Sequence, residues 1–81
     1  MTKNKIIDRL DEIKEMEMDT VKEAIEDLIN DVDIARYDLE ERESSKTNSK
    51  IQKAIEVLEN ALENTSDIQE AVEEALTILT D

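Results

Sequence analysis

Residues 18–39, MDTVKEAIEDLINDVDIARYDL, carry the longest regular apolar pattern in the chain. Their apolar side chains recur at alternating intervals of three and four residues. This heptad pattern is typical of a helix that packs lengthwise against another helix. We call the set the inward seam, and its members are Met18, Val21, Ile25, Leu28, Val32, Ala35 and Leu39. The seam predicts one helix over about residues 20–43, with a continuous face against the core.

Three further apolar stripes predict helices at about 3–17, 50–63 and 67–80. The chain contains no Gly and no Pro, the two residues least favourable in helix interiors. Lys14 and Glu17 interrupt the face that the first stripe shares with the seam, which predicts a break or bend near Asp19. We therefore expect an all-α fold, in which residues 1–81 form a single domain. Its architecture is predicted as an antiparallel bundle of three or four amphipathic helices.

The polar stretch 41–50, ERESSKTNSK, separates the two halves of this pattern. Ser, Thr and Asn compete for backbone hydrogen bonds and favour helix caps over helix interiors. The main turn is therefore predicted at 44–49, and a short loop makes the flanking helices antiparallel neighbours. Capping boxes are predicted from three pairs: Thr20 with Glu23, Ser49 with Gln52, and Ser66 with Gln69.

The size of the chain predicts self-association. A domain of 81 residues buries only about 60% of its unfolded surface, which makes a monomer marginally stable. A long seam and a small aliphatic core both favour additional partner surface. We therefore expect a homodimer that completes the bundle.

The formal net charge is −13, and it is unevenly distributed. Residues 44–53 carry three basic side chains and no acidic one, whereas residues 54–81 carry eight acidic and no basic side chains. Direct binding to nucleic acid requires Lys and Arg that replace the counterions of the phosphates. The charge therefore argues against direct nucleic-acid binding, and it suits a protein partner with a basic surface.

The absence of Cys removes disulfides, thiolate nucleophiles and Cys-ligated zinc. No apolar run approaches the roughly 20 residues that span a bilayer, and no signal-peptide pattern is present. From the sequence we expect a cytoplasmic protein that does not contact a membrane.

Carboxylate pairs of the form Glu-x-x-Glu occur at 12/15, 23/26, 40/43, 56/59 and 70/73. Helical magnesium-dependent hydrolases use such pairs, but this spacing arises readily in a chain so rich in Glu. With no His and no Cys, acid–base and nucleophilic chemistry would fall to scattered residues. We expect no catalytic residue, metal or cofactor, and we retain a carboxylate–metal hydrolase as the third hypothesis.

Two features suggest interaction sites. Ile34 and Tyr37 are three residues apart and project about 140–160° away from the inward seam, so a helix over 20–43 would expose them. An exposed apolar pair indicates a contact with a second copy or another protein, although isolated surface apolar residues are also common. The second feature is the acidic last third, whose predicted partner-binding members are Glu56, Glu59, Glu63, Glu70, Glu73 and Glu74.

The predicted function is a small, non-catalytic, helical protein–protein interaction module that self-associates. The alternative is an acidic mimic of nucleic acid, of the phage or mobile-element type, that inhibits a DNA- or RNA-binding protein. Same-face carboxylates on a helix lie about 5–6 Å apart, which resembles phosphate spacing only loosely.

Overall fold

The computed structural model describes residues 1–64 and 67–81, with the Met18 side chain outside the described part. The described residues form five α-helices, so the prediction of an all-helical fold is confirmed. Their bounds are α1 Lys3–Lys14, α2 Met18–Ile34, α3 Arg36–Arg42, α4 Ser45–Asn64 and α5 Ile68–Thr80.

The inward seam lies in the core. Val21, Ile25, Leu28, Val32 and Leu39 are each at most 2% exposed, and Ala35 is half-buried. Apolar residues of α1, α4 and α5 surround the seam in one continuous cluster. All buried residues in the described part of the chain are apolar, so the core contains no polar side chain that requires a partner.

Polar contacts show how the helices run. Along α1, the partners of Met1, Lys3 and Arg9 are Asp38, Glu43 and Asp31 respectively, so α1 runs antiparallel to the α2–α3 segment. Lys50, near the start of α4, donates to the backbone carbonyl of Asp81, just beyond the end of α5, so these two helices also run antiparallel. Helix α5 packs against α4 and α1, α1 also packs against α2, and α2–α3 contacts α4.

The first break lies at residues 15–17, slightly before the predicted position near Asp19. The predicted capping box at Thr20 is wrong. Thr20 lies in the first turn of α2, and its Oγ1 donates to the carbonyl of Glu17 at 2.9 Å. The hydroxyl therefore donates to the preceding turn and does not accept a bond from a backbone N–H at the helix start.

The main turn is shorter than predicted, because α4 already begins at Ser45. Ser44 takes the capping role assigned to Ser49: its Oγ accepts from the Thr47 backbone N–H at 3.2 Å. Asn48 then donates its side-chain amide to the carbonyls of Leu39 at 3.1 Å and Glu43 at 3.2 Å. Most of the predicted loop therefore forms the polar first turns of α4.

Helix α5 begins with a side-chain cap from Asp67, whose Oδ1 accepts from the N–H groups of Gln69 at 3.1 Å and Glu70 at 3.3 Å. The predicted cap at Ser66 lies outside the described residues. A carboxylate at this position is favourable because the first N–H groups of a helix lack intrahelical partners.

The predicted helix over 20–43 is divided at Ala35, where ψ is 3°. The hydrogen-bond ladder nevertheless continues across this point, since Ala35 donates to Asp31 at 2.9 Å and accepts from Leu39 at 2.8 Å. Helices α2 and α3 therefore act as one segment with a local irregularity, and the heptad pattern continues through it.

One chain buries the described members of the inward seam except Ala35, which is half-buried. The radius of gyration, 11.7 Å, is close to the value of about 12 Å expected for a single compact chain of this length. The seam therefore gives no reason for dimerisation, and any such reason must come from the outer surface.

Candidate functional site

The most exposed large apolar side chains in the described residues stand on the outer face of α2–α3. Ile34 is 76% exposed and Tyr37, the single aromatic residue, is 74% exposed. Ile34 ends α2 and Tyr37 lies in the first turn of α3. We call this pair the Ile34–Tyr37 patch.

The patch lies at the middle of a second heptad row on the same segment. Helical periodicity places the row roughly opposite the inward seam. Its members within the helices are Glu23, Asp27, Asn30, Ile34, Tyr37 and Glu41. Only Ile34 and Tyr37 are apolar in this row, which we call the outward seam. The patch is therefore a small apolar area within polar surroundings.

Ion pairs hold the α2–α3 segment in place beneath the patch. The amino group of Met1 bonds Asp38 at 2.9 Å, and Nε of Arg42 bonds the same carboxylate at 2.8 Å. The hydrogen bond from the amino terminus and the one from Arg42 lower the pKa of Asp38. The same bond to Asp38 raises the pKa of Arg42. Arg9 on α1 pairs with Asp31 one turn before the patch.

The six predicted acidic residues are all exposed, but they do not converge on one site. Glu59 and Glu63 line a groove between α2 and α4. Glu70 and Glu74 line a separate concavity between α4 and α5, together with Asp67. None of the six side chains forms an ion pair with a described residue.

Sequence reasoning missed the apolar part of the α2–α4 groove. The groove is lined by Glu26, Ile29, Asn30, Glu59, Leu62 and Glu63. Ile29 follows a seam position and Leu62 follows the buried Ala61, so both lie at the flank of their apolar stripe. The flanking positions of Ile29 and Leu62 could have been read from the sequence. The groove itself could not, because it depends on the distance between α2 and α4.

Within residues 1–64 and 67–81, no three acidic side chains converge as they would around a metal ion. No helix in the same part of the chain is long and apolar enough to cross a membrane. Comparison with protein-family models, curated proteins and solved structures found no match.

Proposed function

We propose that this chain is a non-catalytic interaction module that self-associates through the Ile34–Tyr37 patch. The observation that carries the proposal is the exposure of these two side chains, 76% and 74%, on a domain whose other large apolar residues are mostly buried. Tyrosine suits such a contact because it combines a large apolar ring with a polar tip.

The outward seam is self-complementary. In a two-fold, antiparallel pairing of α2–α3 segments, Ile34 of one copy lies against Tyr37 of the second copy. The same pairing places Asn30 against Glu41, because both pairs are centred on the same point of the helix. An amide faces a carboxylate there, so this pair adds no like-charge contact next to the patch.

The expected association is weak. Full burial of an aliphatic or aromatic side chain contributes about 1.5–3 kcal/mol, so the four side chains of a symmetric contact contribute about 6–12 kcal/mol. Association itself costs about 4–15 kcal/mol. The most favourable combination of the two ranges leaves about 8 kcal/mol, so the expected dissociation constant is micromolar or weaker.

Salt distinguishes this contact from an electrostatic one. Each copy carries a net charge of −13, so the copies repel each other and added salt screens that repulsion. Self-association is therefore expected to strengthen as salt increases.

Sedimentation equilibrium between about 20 µM and 1 mM tests the proposal. The wild-type mass is expected to rise with concentration, and the double variant Ile34→Ser/Tyr37→Ser is expected to stay monomeric. Met16→Ser is the matched control, since Met16 is also an exposed large apolar residue, at 36%. A monomeric wild type throughout this range would contradict self-association.

The second candidate is an acidic inhibitor that occupies the nucleic-acid site of a basic protein. The exposed and unpaired carboxylates of α4 and α5 favour it. Binding of this kind should weaken steeply between about 50 and 200 mM salt. A pull-down from source lysate with elution in salt steps distinguishes it from self-association, which should strengthen over the same range.

A further inference from the structure

The edge between α2–α3 and α4 is the grooved side of the molecule. Two concavities follow one another along it. One lies between residues 26–30 of α2 and residues 59–63 of α4, with a volume of about 320 Å³. The other lies between Glu40 of α3 and the start of α4, where Ser45 and Gln52 line it. The edge therefore carries two concavities between the antiparallel α2–α3 and α4 segments.

The concavity between residues 26–30 and 59–63, the α2–α4 groove, combines an apolar floor with an acidic rim. Ile29 and Leu62 are half-buried and pack against the core, so part of each side chain faces the groove. Glu26, Glu59 and Glu63 are exposed, and none of the three carboxylates has an ion-pair partner among the described residues. An apolar floor with uncompensated negative charge on both walls is complementary to a surface that is apolar in the middle and positive at its sides.

The basic residues of α4 lie away from the groove. At 100° per residue, Lys46, Lys50 and Lys53 lie roughly 130° around the helix from Gln52 and Glu59, which face the groove. The negative charge of Glu59 and Glu63 is therefore not neutralised by the lysines of α4.

We propose that this groove binds a positively charged amphipathic helix of another protein. Apolar side chains of that helix would pack on Ile29 and Leu62, and its Lys or Arg side chains would pair with Glu26, Glu59 and Glu63. Helix α4 from Ser45 to Glu63 rises about 27 Å, which matches a partner helix of about 18 residues. The groove shares Asn30 with the outward seam but includes neither Ile34 nor Tyr37, so substitutions at the groove and at the patch test the two proposals separately.

A synthetic peptide tests the inference. The peptide has about 18 residues, with Leu at helical spacing on one face and Lys on both sides of that face. The control peptide has the same composition, but its Leu residues are scattered around the helix. Affinity is measured by calorimetry, and the site is located by backbone amide chemical shifts of the labelled protein. The amphipathic peptide is expected to bind more tightly and to shift amides of residues 26–30 and 59–63.

Two triple variants that remove the same amount of charge distinguish specific binding in the groove from nonspecific electrostatic attraction. Glu26→Gln/Glu59→Gln/Glu63→Gln removes the rim, and we expect it to weaken binding about tenfold. Glu70→Gln/Glu73→Gln/Glu74→Gln removes the same charge from α5, and we expect less than about a threefold change. Leu62→Ala, checked for unchanged helix content, is expected to weaken binding severalfold through the loss of apolar contact.

Equal weakening by the two triple variants would overturn the inference, and so would equal affinity for the two peptides. Either result would mean that the whole acidic surface attracts cations without a specific groove. The Ile34→Ser/Tyr37→Ser variant is expected to bind the peptide normally. If this variant lost peptide binding instead, the peptide would occupy the patch, and the groove would be rejected.

Discussion

The two faces of the α2–α3 segment have the same spacing and opposite chemistry. The inward seam has an apolar residue at each alternating step of three and four residues. Its described members are buried or half-buried. The outward seam repeats at the same intervals, but it is polar except at Ile34 and Tyr37, which are about three-quarters exposed. The difference shows that periodicity defines a helix face, whereas the chemistry at each position decides whether that face forms a core or remains available for a partner.

The largest expected difference between the two faces is in stability. Leu28→Ala removes a fully buried side chain from the inward seam and should lower the free energy of unfolding by about 3 kcal/mol. Ile34→Ala on the outward seam should change it by less than about 0.5 kcal/mol at low protein concentration. Urea denaturation measures both. Equal destabilisation by the two substitutions would mean that the faces are not distinct.

The inward face and the exposure of the outward pair could be predicted because both depend only on position around one helix. Val21 to Leu39 follow one line along the helix, and Ile34 and Tyr37 lie on the opposite side. The turn was less predictable, because Ser44 and Ser49 both resemble caps. The choice between them involves Asn48, which bonds the carbonyl of Leu39 nine residues earlier.

The candidate surfaces were predictable only in part. Sequence identified Glu59 and Glu63 as exposed acids, but it grouped them with Glu70 and Glu74, which the structure places at a different edge. That division depends on how α5 packs beside α4. The groove depends on the separation of α2 and α4, which no local pattern encodes.

The end of the shared segment provides the next test. Helix α3 ends at Arg42, so both seams end there. Ser44 then caps the start of α4. Ser44→Ala should therefore lower the free energy of unfolding by about 1 kcal/mol. Ser49→Ala, inside α4, should be neutral or slightly stabilising because Ala is the better helix former. Thermal and urea denaturation measure the free energy of unfolding of both variants. A larger loss for Ser49→Ala than for Ser44→Ala would support the longer turn predicted at 44–49.

A change of charge at Asn30, beside the patch, tests the antiparallel pairing of the outward seams. Asn30→Lys would place an ammonium against Glu41 of the second copy and should strengthen self-association about fivefold. Asn30→Glu would place two carboxylates together and should weaken it by a similar factor. Sedimentation equilibrium measures both variants. If the two substitutions moved the association in the same direction, the antiparallel pairing would be wrong.

The smallest expected effect concerns pH. The pKa of Asp38 is lowered by its hydrogen bonds from the Met1 amino group and from Arg42. The stabilisation is therefore present above the ordinary pKa of an Asp carboxyl, and it is lost as the pH falls through the lowered value in the folded state.

Asp38→Asn should remove this contribution, so the stability of wild type and variant should converge as the pH falls below the lowered pKa of Asp38. Urea denaturation between about pH 7 and pH 2 measures the difference in free energy of unfolding between wild type and variant. A difference that stayed constant over this range would show that the ion pairs at Asp38 do not contribute to folding.

Amide chemical shifts over a dilution series test the central claim most directly, because they report which face takes part in self-association. Between about 20 µM and 1 mM, the account predicts concentration-dependent shifts at Asn30, Ile34, Tyr37 and Glu41. Amides of Ile25 and Leu28 on the inward seam should stay unchanged. Spectra that do not depend on concentration, or shifts spread evenly over both faces, would contradict the assignment of the outward face to partner binding.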